Sequence, residues 1–235
     1  MYFKRRYLCC LSAVFGMLLA FSSYIQAEKY LFKYFDYDIN RYTGKDVLNV
    51  IFISDYIKRL EYLDEKNIML FLPIICFSFI GLILGSSYLL VSDKYKCYLA
   101  SRCRKSKILD SVIINKPVYV ISAYVISFMI CIYMKNGFNI SGCILNSLSY
   151  IIMLDTIVSI SYAVQKKYNS AVSVVSGFVI ICLVYMIDTF SKNIHLILYS
   201  DINAQVYSVI TFTILFFITK IVIKCLNRKE YFYVN

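Results

Sequence analysis

Residues 142–164 read GCILNSLSYIIMLDTIVSISYAV, an apolar run of hydrocarbon length with one acid, Asp155, near its centre. A bilayer core of about 30 Å takes roughly 20 helical residues, and with no water there the backbone N–H and C=O groups must pair within the segment. An ionised side chain at the middle of such a helix costs about 2.5 to 3.5 kcal/mol, whereas each Leu, Ile or Val contributes about 0.3 to 0.6 kcal/mol toward insertion. The aliphatic residues of 142–164 together outweigh the acid, so the run inserts with Asp155 inside it. Ser159 and Tyr162 follow at four and seven residues and share a helix face with Asp155. That face is expected to turn toward protein interior or a wet cavity. Two roles for it stay open: transport or ion sensing at Asp155, and a protonated or hydrogen-bonded acid linking neighbouring helices.

Working outward, five more runs meet the same length requirement, at residues 7–25, 68–91, 118–134, 171–187 and 207–223. The whole chain is 60% hydrophobic, above the roughly 45 to 50% of a soluble domain. The expected fold class is therefore all-α, a polytopic membrane bundle of about six helices. With only seven Gly and two Pro there is no flexible linker, so residues 1–235 are read as one membrane domain. The nine cysteines fall mostly in apolar runs or basic connections and act as small hydrophobes, not as metal ligands or a disulfide framework.

Lys and Arg resist translocation, and their positions set the orientation. Lys4, Arg5 and Arg6 precede the first run; Lys94, Lys96, Arg102, Arg104, Lys105, Lys107 and Lys116 fill the second connection; Lys166 and Lys167 fill the fourth; Lys220, Lys224, Arg228 and Lys229 close the chain. These alternate onto one side, which makes both termini cytoplasmic. The net charge of +11 is thus explained by membrane topology and anionic lipid, and no nucleic-acid partner is expected. Composition rich in Ile, Lys, Asn and Tyr suggests an AT-rich bacterial genome, and with the apolar runs the expected location is a bacterial cell (inner) membrane. An alternative for the N-terminus is a signal peptide with a weak cleavage site at Ile25-Gln26-Ala27.

The outside segment 26–67 is too long for a plain connection and is expected to be structured. Leu48, Phe52, Tyr56, Leu60 and Leu63 recur at helical spacing. Two arrangements fit this stripe, a helix lying in the outer interface and a lid packed on the helix ends.

The second cytoplasmic connection reads VSDKYKCYLASRCRKSKILDSVIINKP from Val91 to Pro117. Its apolar positions Leu89, Val91, Tyr95, Tyr98 and Leu99 precede a basic patch, a pattern suited to the membrane surface. A bare positive-inside signal would explain the charge alone. Six spans, an extended outside segment and this basic connector together resemble the permease subunits of type-2 ABC exporters, including those of drug, lantibiotic and bacteriocin export or immunity. The resemblance implies a cytoplasmic coupling helix contacting a separate ATPase subunit, and it places Ser101, Arg102, Arg104, Lys105, Ser106 and Lys107 at that contact. It further implies a homodimer or a paired homologous permease, with ATP and Mg bound by the partner subunit and no cofactor on this chain. No Pro precedes Ser101-Arg102, and Asp93 is the nearest acid to the start of the segment.

Gly81 and Gly85 form a small-xxx-small pattern in the second run, and Ser173 and Gly177 repeat it in the fifth. Such pairs serve either packing within the chain or dimerisation. No Gly-x-x-x-x-Gly-Lys phosphate loop occurs, the sole His195 excludes a two-His zinc motif, and no Gly-x-Ser-x-Gly elbow is present. The expectation is a transporter permease subunit that is not itself an enzyme, exporting a peptide or hydrophobic compound. A non-transport scaffold or bacteriocin-immunity protein is the alternative, followed by an intramembrane enzyme.

Overall fold

Apolar runs that must satisfy their own backbone become helices, and the computed structural model has six long ones among the residues it describes, which are 2–35, 47–48, 51, 72–94, 117–135, 140–168, 170–190 and 202–234. They are α1 Tyr2–Phe35, α2 Leu72–Lys94, α3 Pro117–Lys135, α4 Ile140–Lys167, α5 Ser170–Phe190 and α6 Ile202–Val234. Every run read from the sequence falls on one helix as far as it is described, positions 68–71 of the second run lying outside the described residues. Pro117 opens α3, where its missing N–H would have had no partner in any case.

Two helices overshoot their apolar runs. α1 covers 34 residues and α6 covers 33, so each carries polar turns beyond the hydrophobic span. The i to i−4 ladder does not need lipid in order to continue, whereas the sequence boundary was drawn where apolar side chains stop. α1 consequently runs through Ile25-Gln26-Ala27 into the segment expected to be an outside loop, with Ala27 buried.

Four helices are long and apolar enough to cross a membrane, through Arg6–Lys29, Pro117–Met134, Ile140–Gln165 and Val206–Leu226. In α2 and α5 the apolar stretches are shorter, Ile74–Ser87 and Val172–Ile187, on helices of 23 and 21 residues.

α4 stands at the centre and packs against α2, α3, α5 and α6, while α1 lies along α3 and touches α2. Where α2, α3 and α4 meet, the Phe77 ring lies 5.2 Å from that of Tyr124, 4.8 Å from Phe128 and 5.6 Å from Tyr150. The Tyr124 hydroxyl donates to the Phe77 carbonyl at 3.0 Å, which gives the buried phenol a partner and ties α3 to α2. Asn146 Nδ2 donates to the Tyr133 hydroxyl at 2.6 Å and ties α4 to α3 in the same way.

Close backbone approach depends on small residues. A Cβ at Gly16 of α1 would strike Ser127 Oγ and the Tyr124 carbonyl oxygen of α3, and backbone atoms cannot be displaced as a flexible side chain can. Gly81 and Gly85 of α2 accept Leu154 and Val158 of α4, each 2.7 Å from the position a Cβ would take. A Cβ at Gly177 of α5 would meet Ser161 Oγ of α4 and, at 2.8 Å, Leu82 of α2. The Ser173 hydroxyl donates to the Ser161 carbonyl at 2.7 Å, so Ser173 and Gly177 both face α4. Both small-residue pairs therefore lie at contacts within the chain, where packing without a hydrophobic driving force needs near approach.

Val47, Leu48 and Ile51 are helical and buried in the main core cluster. This piece of the segment after α1 is packed into the protein and does not lie on a lipid surface. Phe52, Tyr56, Leu60 and Leu63, the rest of the expected stripe, lie outside the described residues, as does His195.

Candidate functional site

Among the described residues α4 carries more of the buried polar groups than any other helix. Asp155, Ser159 and Tyr162 are 2%, 4% and 2% exposed, so the face expected to turn inward is enclosed by protein. Thr156 and Ser161 are buried beside them. These two satisfy their hydroxyls on the helix itself, Thr156 through the Ile152 carbonyl at 2.7 Å and Ser161 through the Ile157 carbonyl at 2.9 Å. Such back-bonding is the cheapest way for a hydroxyl to enter a dry interior.

A carboxylate has no such local solution, because its oxygens only accept and helix N–H groups are already engaged. Neither oxygen of Asp155 has a hydrogen-bond partner among the described residues. Its charge is met instead by Lys220 of α6, whose Nζ lies 3.8 Å from Asp155 Oδ2. The pair is enclosed on both sides, with the Asp155 side chain 3% exposed and that of Lys220 15%. Lys220 Nζ also sits 4.7 Å from the centroid of the Phe216 ring, one turn earlier on α6. The ammonium thus receives the negative face of an aromatic ring as well as the carboxylate. A second tie joins the same helices, Thr156 Oγ1 to the Phe212 carbonyl at 3.3 Å.

Lys220 corrects the reading of the sequence, which grouped it with Lys224, Arg228 and Lys229 as a terminal topology charge. It belongs to the interior. Helix side chains leave Cα tilted toward the N-terminus, and Lys220 reaches back along α6 over Phe216, away from the C-terminal end where the other cations lie. The available signal was a Lys inside one hydrocarbon-length run and an Asp inside another, since intramembrane charges usually pair with each other. Nothing local in either run says which helices are neighbours. Gly16 was missed for a related reason: a lone glycine in an apolar helix has no spacing partner to mark it.

Chemically, the constellation holds two opposite charges, an aromatic ring and the Thr156 hydroxyl where α4 meets α6. No three His, Cys, Asp or Glu side chains come together to hold a metal ion among the described residues. The basic connector residues Ser101, Arg102, Arg104, Lys105, Ser106 and Lys107 lie outside the described residues. Comparison with protein-family models, with curated proteins and with solved structures finds no match to this chain.

Proposed function

We propose that this chain is the membrane-spanning subunit of an ABC exporter, placed in a bacterial cell membrane with all six helices crossing it and both termini in the cytoplasm. ATP and Mg belong to a separate ATPase subunit, and a second copy or a homologous permease completes the pathway. The cargo class is a peptide or hydrophobic compound.

The membrane setting is supported by an inversion of the pattern of soluble proteins. Of the four helices long enough to span, the most apolar window, in α6, is the least buried, and the least apolar, in α4, is the most buried. In water the driving force would hide the more apolar helix. Lipid removes that drive between helices, leaving apolar faces outside and polar groups to find partners within. α6 accordingly exposes Ile210, Ile214, Phe217, Ile218 and Ile221, and α1 exposes Leu18 and Phe21. For α2 and α5, helix lengths of 23 and 21 residues are compatible with crossing.

The observation that carries the transporter assignment is the basic stretch 101–107, set between two membrane helices on the side where cations collect. A chain without a phosphate loop must receive work from elsewhere, and a charged surface segment is the element such a partner can grip. The test is to change Arg102, Arg104 and Lys105 together to Glu and to isolate the chain from detergent with whatever ATPase accompanies it. The expected result is loss of the ATPase and of cargo-stimulated ATP turnover while the chain stays in the membrane fraction. Undiminished association and turnover would overturn coupling through this segment.

A further inference from the structure

We propose that Asp155 and Lys220 form an electrostatic clasp that sets the rotation and register of α6 on α4. The proposal requires the helices to stand in lipid, as above, but not that an ATPase couples to the chain.

Only 17% of the spanning window of α6 is buried, and among the described residues α4 is the one helix with which α6 makes extended contact. Its inward seam is Ser208, Phe212, Thr219 and Ile223, two of them small hydroxyl residues, whereas the exposed residues between positions 206 and 222 are all aliphatic or aromatic. Apolar side chains gain little by exchanging lipid for a protein neighbour. Hydrophobicity therefore does not say which side of α6 should meet α4, and several rotations or one-turn slips would bury comparable apolar surface.

Lys220 removes that freedom. Facing lipid, it would carry a charge-insertion penalty that no other residue of the seam carries. Lys224, one turn later, is exposed and close enough to the end of the apolar window at Leu226 for its stem to lead the ammonium to the interface. Lys220 had the same option and does not take it: the side chain runs the opposite way, over Phe216 to Asp155. Asp155 is in the matching position, enclosed, with no hydrogen bond to either oxygen. Lys220 is thus the charge that answers Asp155, and the contact holds only where the helices bring these two positions together.

A pair of this kind is a poor source of net stability, since desolvation offsets most of the attraction; its best-attested use is to specify one arrangement among several. A single-residue packing role would not link the two positions. The clasp does.

The test is a double-mutant cycle on the full chain in detergent micelles, with heat-resistant folded protein as one readout and a photo-cross-linker at Phe212 as the other. Phe212 is chosen because its carbonyl lies 3.3 Å from Thr156 Oγ1. Asp155→Asn and Lys220→Met are each expected to lower the folded-to-unfolded ratio by roughly tenfold or more, and the double variant to recover most of it, because no lone charge is left. Native protein should cross-link to α4 within one turn of Thr156, and the double variant should spread its cross-links over more than one turn. Lys220→Arg, which keeps the charge, should retain both native readouts. Additive losses in the double variant, or cross-links that stay at Thr156 in every variant, would overturn the clasp. If the native chain is absent from the membrane fraction, it is the membrane assignment that fails, a result separable from either of these.

Discussion

α4 and α6 are both hydrocarbon-length helices, in contact with each other, yet 67% of the spanning window of one is buried in protein and only 17% of the other. The more apolar of the two is the outer one. α4 interleaves aliphatic residues with Ser, Thr, Asn and Asp and touches four neighbouring helices; α6 keeps its buried hydroxyls to a narrow seam and, among the described residues, leans on one. Among the four helices long enough to span, the more apolar window of this pair is the more outward-facing one, while polar residues mark the protein interior, the pattern expected of the proposed membrane setting. The difference teaches that similar sequence runs are held by different forces: α4 by interlocking shape and paired polar groups, α6 by a few specific ties together with, in the proposed membrane setting, solvation in lipid.

That contrast can be broken most decisively at the centre. Tyr150 of α4 is 1% exposed and meets the Phe77 ring edge-on, so Tyr150→Ala leaves a void among α2, α3 and α4. The expected loss is about 3 to 5 kcal/mol, read from unfolding in mixed micelles; an effect below 1 kcal/mol would mean that the centre is loosely packed. At the rim the sensitive change is of polarity and not of volume. Phe217→Lys puts a second Lys within one turn of Lys220 on the exposed side of α6, and should cost about 2.5 to 3.5 kcal/mol of insertion, seen as a fraction of chains with a mislocated C-terminal tag. Normal insertion would show that this face is not in lipid. The smallest effect sharpens the comparison further: Phe217→Ala, at a position 62% exposed, is expected to change stability by no more than about 0.5 kcal/mol. A loss as large as that at Tyr150 would reveal a protein partner over this face of α6.

Much of the fold was legible before any coordinates. Each apolar run from 7–25 to 207–223 corresponds to one long helix, since length and composition alone decide whether a backbone can satisfy itself in a helix without water. The helix ends were less legible: α1 continues to Phe35 because helical hydrogen bonding outlasts the hydrophobic stretch. Of the candidate site, the inward turn of Asp155, Ser159 and Tyr162 followed from their spacing, a property of one helix. The partner of Asp155 did not. Lys220 sits 65 residues away, within a run that holds no other charge, and periodicity within one helix carries no information about a neighbour. Leu48 shows the same limit, since an amphipathic stripe says that one side is covered but not whether lipid or protein covers it; here it is protein.

By itself, then, the order of residues determined that the chain is helical, where its apolar runs lie, and that a carboxyl group sits within one of them. These follow from local physics: backbone self-satisfaction, side-chain transfer energies and the angular step of a helix. Which helix occupies the centre, where glycines admit a neighbour, and that Asp155 is answered by Lys220 were decided only by the tertiary structure. Those facts depend on distances between residues far apart along the chain, and shape complementarity at a crossing leaves no periodic trace in either strand of sequence that forms it.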